Sequence, residues 1–392
     1  MNRRLAALLF PALLSVLTSL ALAQSAERVV DLTATDGTKL KATYFGAAKP
    51  GPGVLLLHQC NRQRKVWDGL ARQLASAGIN VLTFDYRSFG ESGGAPFDKL
   101  TPQQQAEVFQ KFPGDVDTAF AYLSSQAGVN RNVIGVGGAS CGVNNSVQAA
   151  RRHPEVKSLV LLSGNTDLNG RNFLRSAAAP PTFYAIADDD EFKPSIIAIE
   201  WLYSLTGNPG KVLVHYSNGG HGADMFPVHP ELVGLIVDWY VTTLIKTPGH
   251  AAPPATAATV PGDVLILDEM DQPGGATKVA KQLSAARQRD PKATLFDEAL
   301  VNFMGYEHLQ AGDSGGAIEI FKLNAEAYPD SPNVYDSLAD AYVAAGQKDL
   351  ARQNAKRALE LLATDTRDPE DVRKGIRESS EQKLKQLGDA PQ

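Results

Sequence analysis

Cysteine is nearly absent from this chain. Its 392 residues include two, Cys60 and Cys141, too few for a disulfide-built scaffold and without the paired spacing of a zinc site. An excess of charge is missing too. The net charge of -5 argues against nucleic acid or an anionic membrane as the main partner. Beyond residue 23 no run is long and apolar enough to cross a bilayer. There is no dinucleotide fingerprint, and the glycines from Gly90 to Gly94 open into a proline loop without the Lys-Ser or Lys-Thr of a phosphate cradle. Neither a cofactor nor a metal is expected.

What is present describes a globular protein, with 43% hydrophobic and 21% charged residues and a length that calls for two or more domains. Residues 1–23 begin Asn2-Arg3-Arg4, continue in a mostly apolar run to Leu22 and end Ala21-Leu22-Ala23. A basic start, a greasy middle and small residues before the cut describe a secretory signal cleaved after Ala23; an uncleaved anchor is the alternative, for which the run is short. The mature protein is expected to be periplasmic or secreted, where one disulfide is chemically permitted.

The region 24–246 alternates strand and helix signals. Two runs flank Gly37 as a hairpin, and GVLLLH at Gly53 to His58 suits a strand buried on both faces. Strands are predicted again at Asn80 to Phe84, Val133 to Val136, Lys157 to Leu162, Thr182 to Ala187 and Lys211 to Tyr216. Helices fall between them, one from about Asp115 to Gln126 after a polar insertion rich in proline and glutamine. That rhythm predicts an α/β domain with a mostly parallel, doubly wound sheet. Its central stretch, Asn132 to Pro154, reads strand, sharp turn, helix, with Gly138-Ala139-Ser140-Cys141-Gly142 at the turn. Small residues two positions either side of Ser140 let the strand and helix backbones cross closely, which lifts the hydroxyl above the sheet.

The order of these signals resembles the α/β-hydrolase family over residues 28 to 246. The agreement includes Leu55-Leu56-Leu57-His58, the Asp85-Tyr86-Arg87-Ser88-Phe89-Gly90 loop, the Ser140 elbow, Arg152-His153-Pro154, Asp190 and His221. The short stretch between Gly164 and Pro181 leaves no room for a large cap, so the pattern looks more like the dienelactone hydrolase and esterase branch, with the site covered mainly by the Gly90 to Pro113 insertion. The resemblance implies a catalytic triad of Ser140, Asp190 and His221. Asp167 is a second candidate acid, and His215, inside a strand, reads as a packed histidine rather than a base. The oxyanion amides would be those of Cys60 and Cys141, and Gln59 falls where dienelactone hydrolases carry a pocket Glu. Cys141 as nucleophile is a further alternative, disfavoured because Val143 fits the turn exit poorly. With both cysteines on the two oxyanion loops of an exported protein, either a Cys60 to Cys141 disulfide or two buried thiols is expected.

Residues 247–262, TPGHAAPPATAATVPG, read as a flexible linker. Beyond them Ala311-Gly312 and Ala345-Gly346 recur 34 residues apart, and 263–392 resembles tetratricopeptide helix pairs through Gly305, Ala317, Phe321 and Pro329, then Tyr342, Ala351 and Ala358. The whole reads as an exported serine hydrolase acting on a small-molecule ester or lactone. A serine peptidase, or a non-catalytic protein binding a partner through its repeats, is the alternative.

Overall fold

The computed structural model describes residues 27–388. The signal sequence expected at 1–23 lies outside them, and among the described residues no helix is long and apolar enough to cross a membrane.

Eight strands form one sheet in the order β1-β2-β4-β3-β5-β6-β7-β8. They are β1 (Glu27–Thr33), β2 (Lys39–Phe45), β3 (Gly51–Leu57), β4 (Asn80–Phe84), β5 (Val129–Ala139), β6 (Val156–Leu162), β7 (Thr182–Ala187) and β8 (Lys211–Tyr216). The first two run antiparallel and β3 to β8 run parallel. Residues from Val54 to Leu57 in β3, all of β4 and all of β7 are buried, which is why these strands read as continuous apolar runs instead of alternating ones. Helices cover both faces. Leu70 and Leu74 of α1 (Asp68–Ser76) pack with Val54, Leu56, Val160, Trp239 and Tyr240, the last two from α7 (Pro230–Tyr240). On the other face Phe120 of α2 (Pro102–Ser125) and Val143 of α3 (Cys141–Arg152) pack on Leu55, Leu82 and Val136. Also in the domain are α4 (Leu168–Arg175), α5 (Pro194–Leu205) and the short α6 (Met225–Val228).

The polar insertion is mostly helix, which the sequence reading did not foresee. α2 begins at Pro102, because Thr101 accepts the Gln104 amide while the Gln104 side chain accepts the Thr101 amide, a reciprocal cap that satisfies two amides at the helix start. Pro113 sits inside it and the helix continues to Ser125.

The C-terminal region is all helical: α8 (Gly262–Met270), α9 (Gly275–Arg287), α10 (Glu298–Gln310), α11 (Ser314–Ala327), α12 (Pro332–Ala344), α13 (Lys348–Leu362) and α14 (Glu370–Gln386). It is not loosely tethered. The segment 247–261 is fixed against α5, where the Ala258 amide donates to the Tyr203 hydroxyl at 3.0 Å. Val264, Leu267 and Met270 of α8 and Met304 of α10 belong to the same buried cluster as Leu202 and Tyr203. Arg171 of α4, fully buried, donates to both oxygens of Asp271 at 3.0 and 2.8 Å and to Glu307 of α10 at 2.6 Å.

Candidate active site

Ser140 occupies the sharp turn between β5 and α3 with φ 53 and ψ -119, a conformation rare for a residue with a Cβ. The neighbouring glycines make this turn possible. A methyl on Gly138 would meet the Gly142 carbonyl oxygen at 2.1 Å, and one on Gly142 would meet the Leu57 carbonyl oxygen at 2.4 Å. The turn therefore exposes Ser140 beside the first amides of α3 and against the exit of β3. From the other side, a methyl on Gly164, just past β6, would meet the Ser140 carbonyl oxygen at 2.5 Å.

His221 and Asp190 meet on adjacent loops. His221 Nδ1 is 2.9 Å from both carboxylate oxygens of Asp190, with the two side chains essentially buried. That contact places the ring proton on Nδ1 and leaves Nε2 as the basic atom. Asp190 also accepts the Phe192 amide at 2.8 Å, and the Phe192 ring, more than half exposed, lies 4.7 Å from the His221 ring. The His221 loop lies over the elbow: a methyl on Gly222 would stand 3.0 Å from the Ala139 Cβ. Among the described residues Ser140 Oγ has no hydrogen-bond partner within 3.5 Å. Such bonds commonly close only when substrate binds.

The other aspartates near this loop are engaged elsewhere. Asp188 binds His215 Nε2 at 2.7 Å and Asp189 accepts the Gly220 amide at 2.8 Å; that amide holds the Asp189 carboxyl below its ordinary range. Asp167 caps α4 by accepting the Gly170 amide at 2.9 Å. His215 is not packed away as expected. It lies partly exposed on β8, between Asp188 and Glu200.

Cys60 and Cys141 form a disulfide with their Cα atoms 5.9 Å apart. It ties the loop after β3 to the first residue of α3, where a backbone N–H has no intrahelical acceptor. No carbonyl among the described residues takes the Cys60 amide in a loop or turn bond, so both amides are available to an incoming oxyanion. The bond also removes Cys141 as a thiol nucleophile. The loop is braced from beneath by fully buried His58, whose Nδ1 donates to the Gln59 carbonyl at 2.8 Å and whose Nε2 accepts the Tyr86 amide at 3.1 Å. Burial lowers its pKa to about 4 and keeps it neutral.

Gln59 corrects the sequence reading. It does not line a pocket. It is fully buried, donates to the His221 carbonyl at 3.1 Å and accepts the Ala223 amide at 2.8 Å, so it joins the oxyanion loop to the histidine loop. Asp85 and Arg87 are structural: Asp85 is buried against Arg64, and Arg87 binds Asp115 and Asp36. Phe192 was not singled out from the sequence. The signal available was an apolar ring placed two residues after a candidate acid.

A family profile described as alpha/beta hydrolase fold matches residues 52–200. The domain has the α/β-hydrolase fold. Among curated proteins, the thiohydrolase aneE of Aspergillus aculeatus is 28% identical over 134 residues, covering 33% of this chain and 39% of the relative. The chain thus spans about two fifths of that relative's length. Among solved structures, an esterase of Pyrococcus furiosus superposes with a TM-score of 0.43 at 20% identity, over 56% of this chain and 93% of that one. A dienelactone hydrolase from Anabaena variabilis does so with a TM-score of 0.42 at 21% identity, over 56% and 99%.

Proposed function

We propose that the protein is an exported serine hydrolase that cleaves carboxylic esters or lactones through an acyl-enzyme. The observation that carries this is the His221 to Asp190 contact at 2.9 Å, set beside a serine in a turn that only a crossing strand and helix would impose. A serine hydroxyl is a weak nucleophile at neutral pH and needs such a base. In this reading Ser140 Oγ attacks the acyl carbon as its proton passes to His221 Nε2, and Asp190 stabilises the imidazolium. The carbonyl oxygen becomes an oxyanion between the Cys60 and Cys141 amides. Collapse expels the alcohol, which takes the proton from His221. Water then attacks the acyl-enzyme with His221 again as base, returning the acid and free Ser140.

The relative named a thiohydrolase makes a thioester the second acyl donor to try on the same site. The likeness of α10 to α13 to tetratricopeptide pairs remains part of the proposal. It is supported by α12 and α13 starting 34 residues after α10 and α11, and by Gly305, where a methyl would meet the Phe321 ring at 2.4 Å. A peptidase would share the triad, and substrate panels separate the two.

The test is an intact-mass measurement of the unreduced protein with a fluorophosphonate, alongside Ser140→Ala. One adduct on the wild type and none on the variant is expected. Absence of an adduct on folded wild type would refute the serine mechanism. The unlabelled mass also reports whether cleavage follows Ala23.

A further inference from the structure

A groove of about 650 Å³ runs between the α/β-hydrolase domain and the helical region. One wall is the start of α5, with Pro194, Ile197 and Trp201; the other is the start of α10, with Leu300 and Phe303; Asn165 closes one end. The groove borders the candidate site along the chain at two points. Asn165 follows Gly164, which abuts the Ser140 carbonyl. The α5 wall begins directly after Phe192, whose amide is held by Asp190 and whose ring touches His221. Its charged residues are engaged elsewhere: Lys193 donates to the Asp188 carbonyl at 2.9 Å, and Asp297 caps α10 by accepting the Leu300 amide at 3.0 Å. An apolar trough whose bordering charged groups are already hydrogen-bonded to backbone suits an uncharged occupant. Phe192 and Phe303, both more than half exposed, are the large apolar side chains that such an occupant would cover.

Resting on the serine-hydrolase reading, we propose that the helical region supplies one wall of the acyl site, and that the substrate carries an extended, uncharged aliphatic acyl chain lying between α5 and α10. The α/β-hydrolase domain by itself offers half of this surface. The helical region then serves substrate selection, standing where the stretch after β6 is too short to provide a cap.

The experiment compares p-nitrophenyl octanoate with p-nitrophenyl acetate on the full chain, on Phe303→Asp and on Ala299→Trp. Both positions are exposed, so neither change opens a core cavity, and the tryptophan fills the groove where the aspartate charges it. The octanoate to acetate ratio of kcat/KM should fall at least about tenfold in both variants, in the range that apolar pocket contacts discriminate. A ratio within about twofold of wild type in both overturns the proposal, because contacts selecting for chain length would change it by more. Should the wild type turn over neither ester, the hydrolase reading fails separately, and 1-octanol titrated into Ser140→Ala decides the groove through tryptophan fluorescence. Saturable quenching that Phe303→Asp removes supports an apolar-chain site; no saturable change overturns it.

Discussion

At the scale of single residues, the proposed mechanism assigns fixed duties to a few side chains, and Asp190 tests this most directly. Its two oxygens face one ring nitrogen, so an amide in its place would present a donor to a donor and favour the wrong tautomer of His221. Asp190→Asn should lower kcat by about 10³ to 10⁴ with little change in KM. Steady-state kinetics check this, and an unchanged kcat would remove Asp190 from the mechanism. The sharp turn at Ser140 was legible in the sequence from its flanking glycines, and the meeting of Asp190 with His221 from their order along the chain. The duty of Gln59 was not. Its carboxamide spans two loops 162 residues apart in sequence, and local pattern carries no information about such a partner.

At the scale of elements, the two oxyanion loops are held by a covalent bond as well as by packing. The disulfide joins residues 81 apart and fixes the spacing between the two amides to which the proposed mechanism assigns transition-state stabilisation. Reduction should lower kcat by up to about 10²-fold, the order lost with one oxyanion donor, while Ser140 still reacts with a fluorophosphonate. Equal turnover of oxidised and fully reduced enzyme would mean that His58 and Gln59 hold the loop unaided. The strands were readable from their apolar runs, and the helices between them from the alternation. The first half of α2 was not, because prolines and consecutive glutamines hid a capping box at Thr101 and Gln104 that tolerates proline in the first turn. The segment 247–261 has the composition of a free tether, yet it is fixed by partners that local pattern does not reveal: the Tyr203 hydroxyl takes the Ala258 amide, the Gly249 amide donates to the Thr243 carbonyl, and Ala251, Ala258 and Val260 pack on buried clusters.

At the scale of the molecule, the two regions are joined through a buried ionic cluster. Arg171 serves both Asp271 and Glu307, Arg175 reaches Asp268 and Asp271, and His308 bridges Asp271 and Asp313. Removing Arg171 leaves Glu307 buried without its cation and Asp271 with only Arg175 and His308, so Arg171→Met should cost about 3–5 kcal/mol in denaturant unfolding. A loss below about 1 kcal/mol, the scale of an exposed ion pair, would mean the cluster is open to water. The cluster also sets a pH dependence. Burial pushes the Glu307 carboxyl up to about 7 against the opposing pull of Arg171, so the native state binds this proton more tightly than the unfolded chain does. Its contribution is complete below the unfolded value of about 4.3 and is lost as pH rises towards 7. Burial opposes the charge on His308, but Asp271 and Asp313 raise its pKa overall; its contribution is complete below about 6.5 and fades above the raised value. Burial opposes the charge on Asp271 too, yet His308 and Arg171 hold it well below the carboxylate range, so its contribution is present above about 3.9 and lost only in strong acid. Tm should therefore be highest in mild acid and decline through neutrality, and Glu307→Gln should flatten that decline. An identical slope in the variant would place the titrating group elsewhere.

The fixed segment 247–261 has one more consequence. β8 is the last strand of the sheet, and its outer row of backbone groups is a template on which another chain could add a strand. A methyl on Gly210, just before β8, would meet the Ala251 carbonyl at 2.7 Å, so the segment passes the entrance to that edge. Its Pro248, Pro253, Pro254 and Pro261 lack the N–H that a new strand would need. If the stretch guards that edge, replacing it with a glycine-serine sequence of equal length should yield oligomers by light scattering before it affects turnover, and a monomeric replacement would remove the idea.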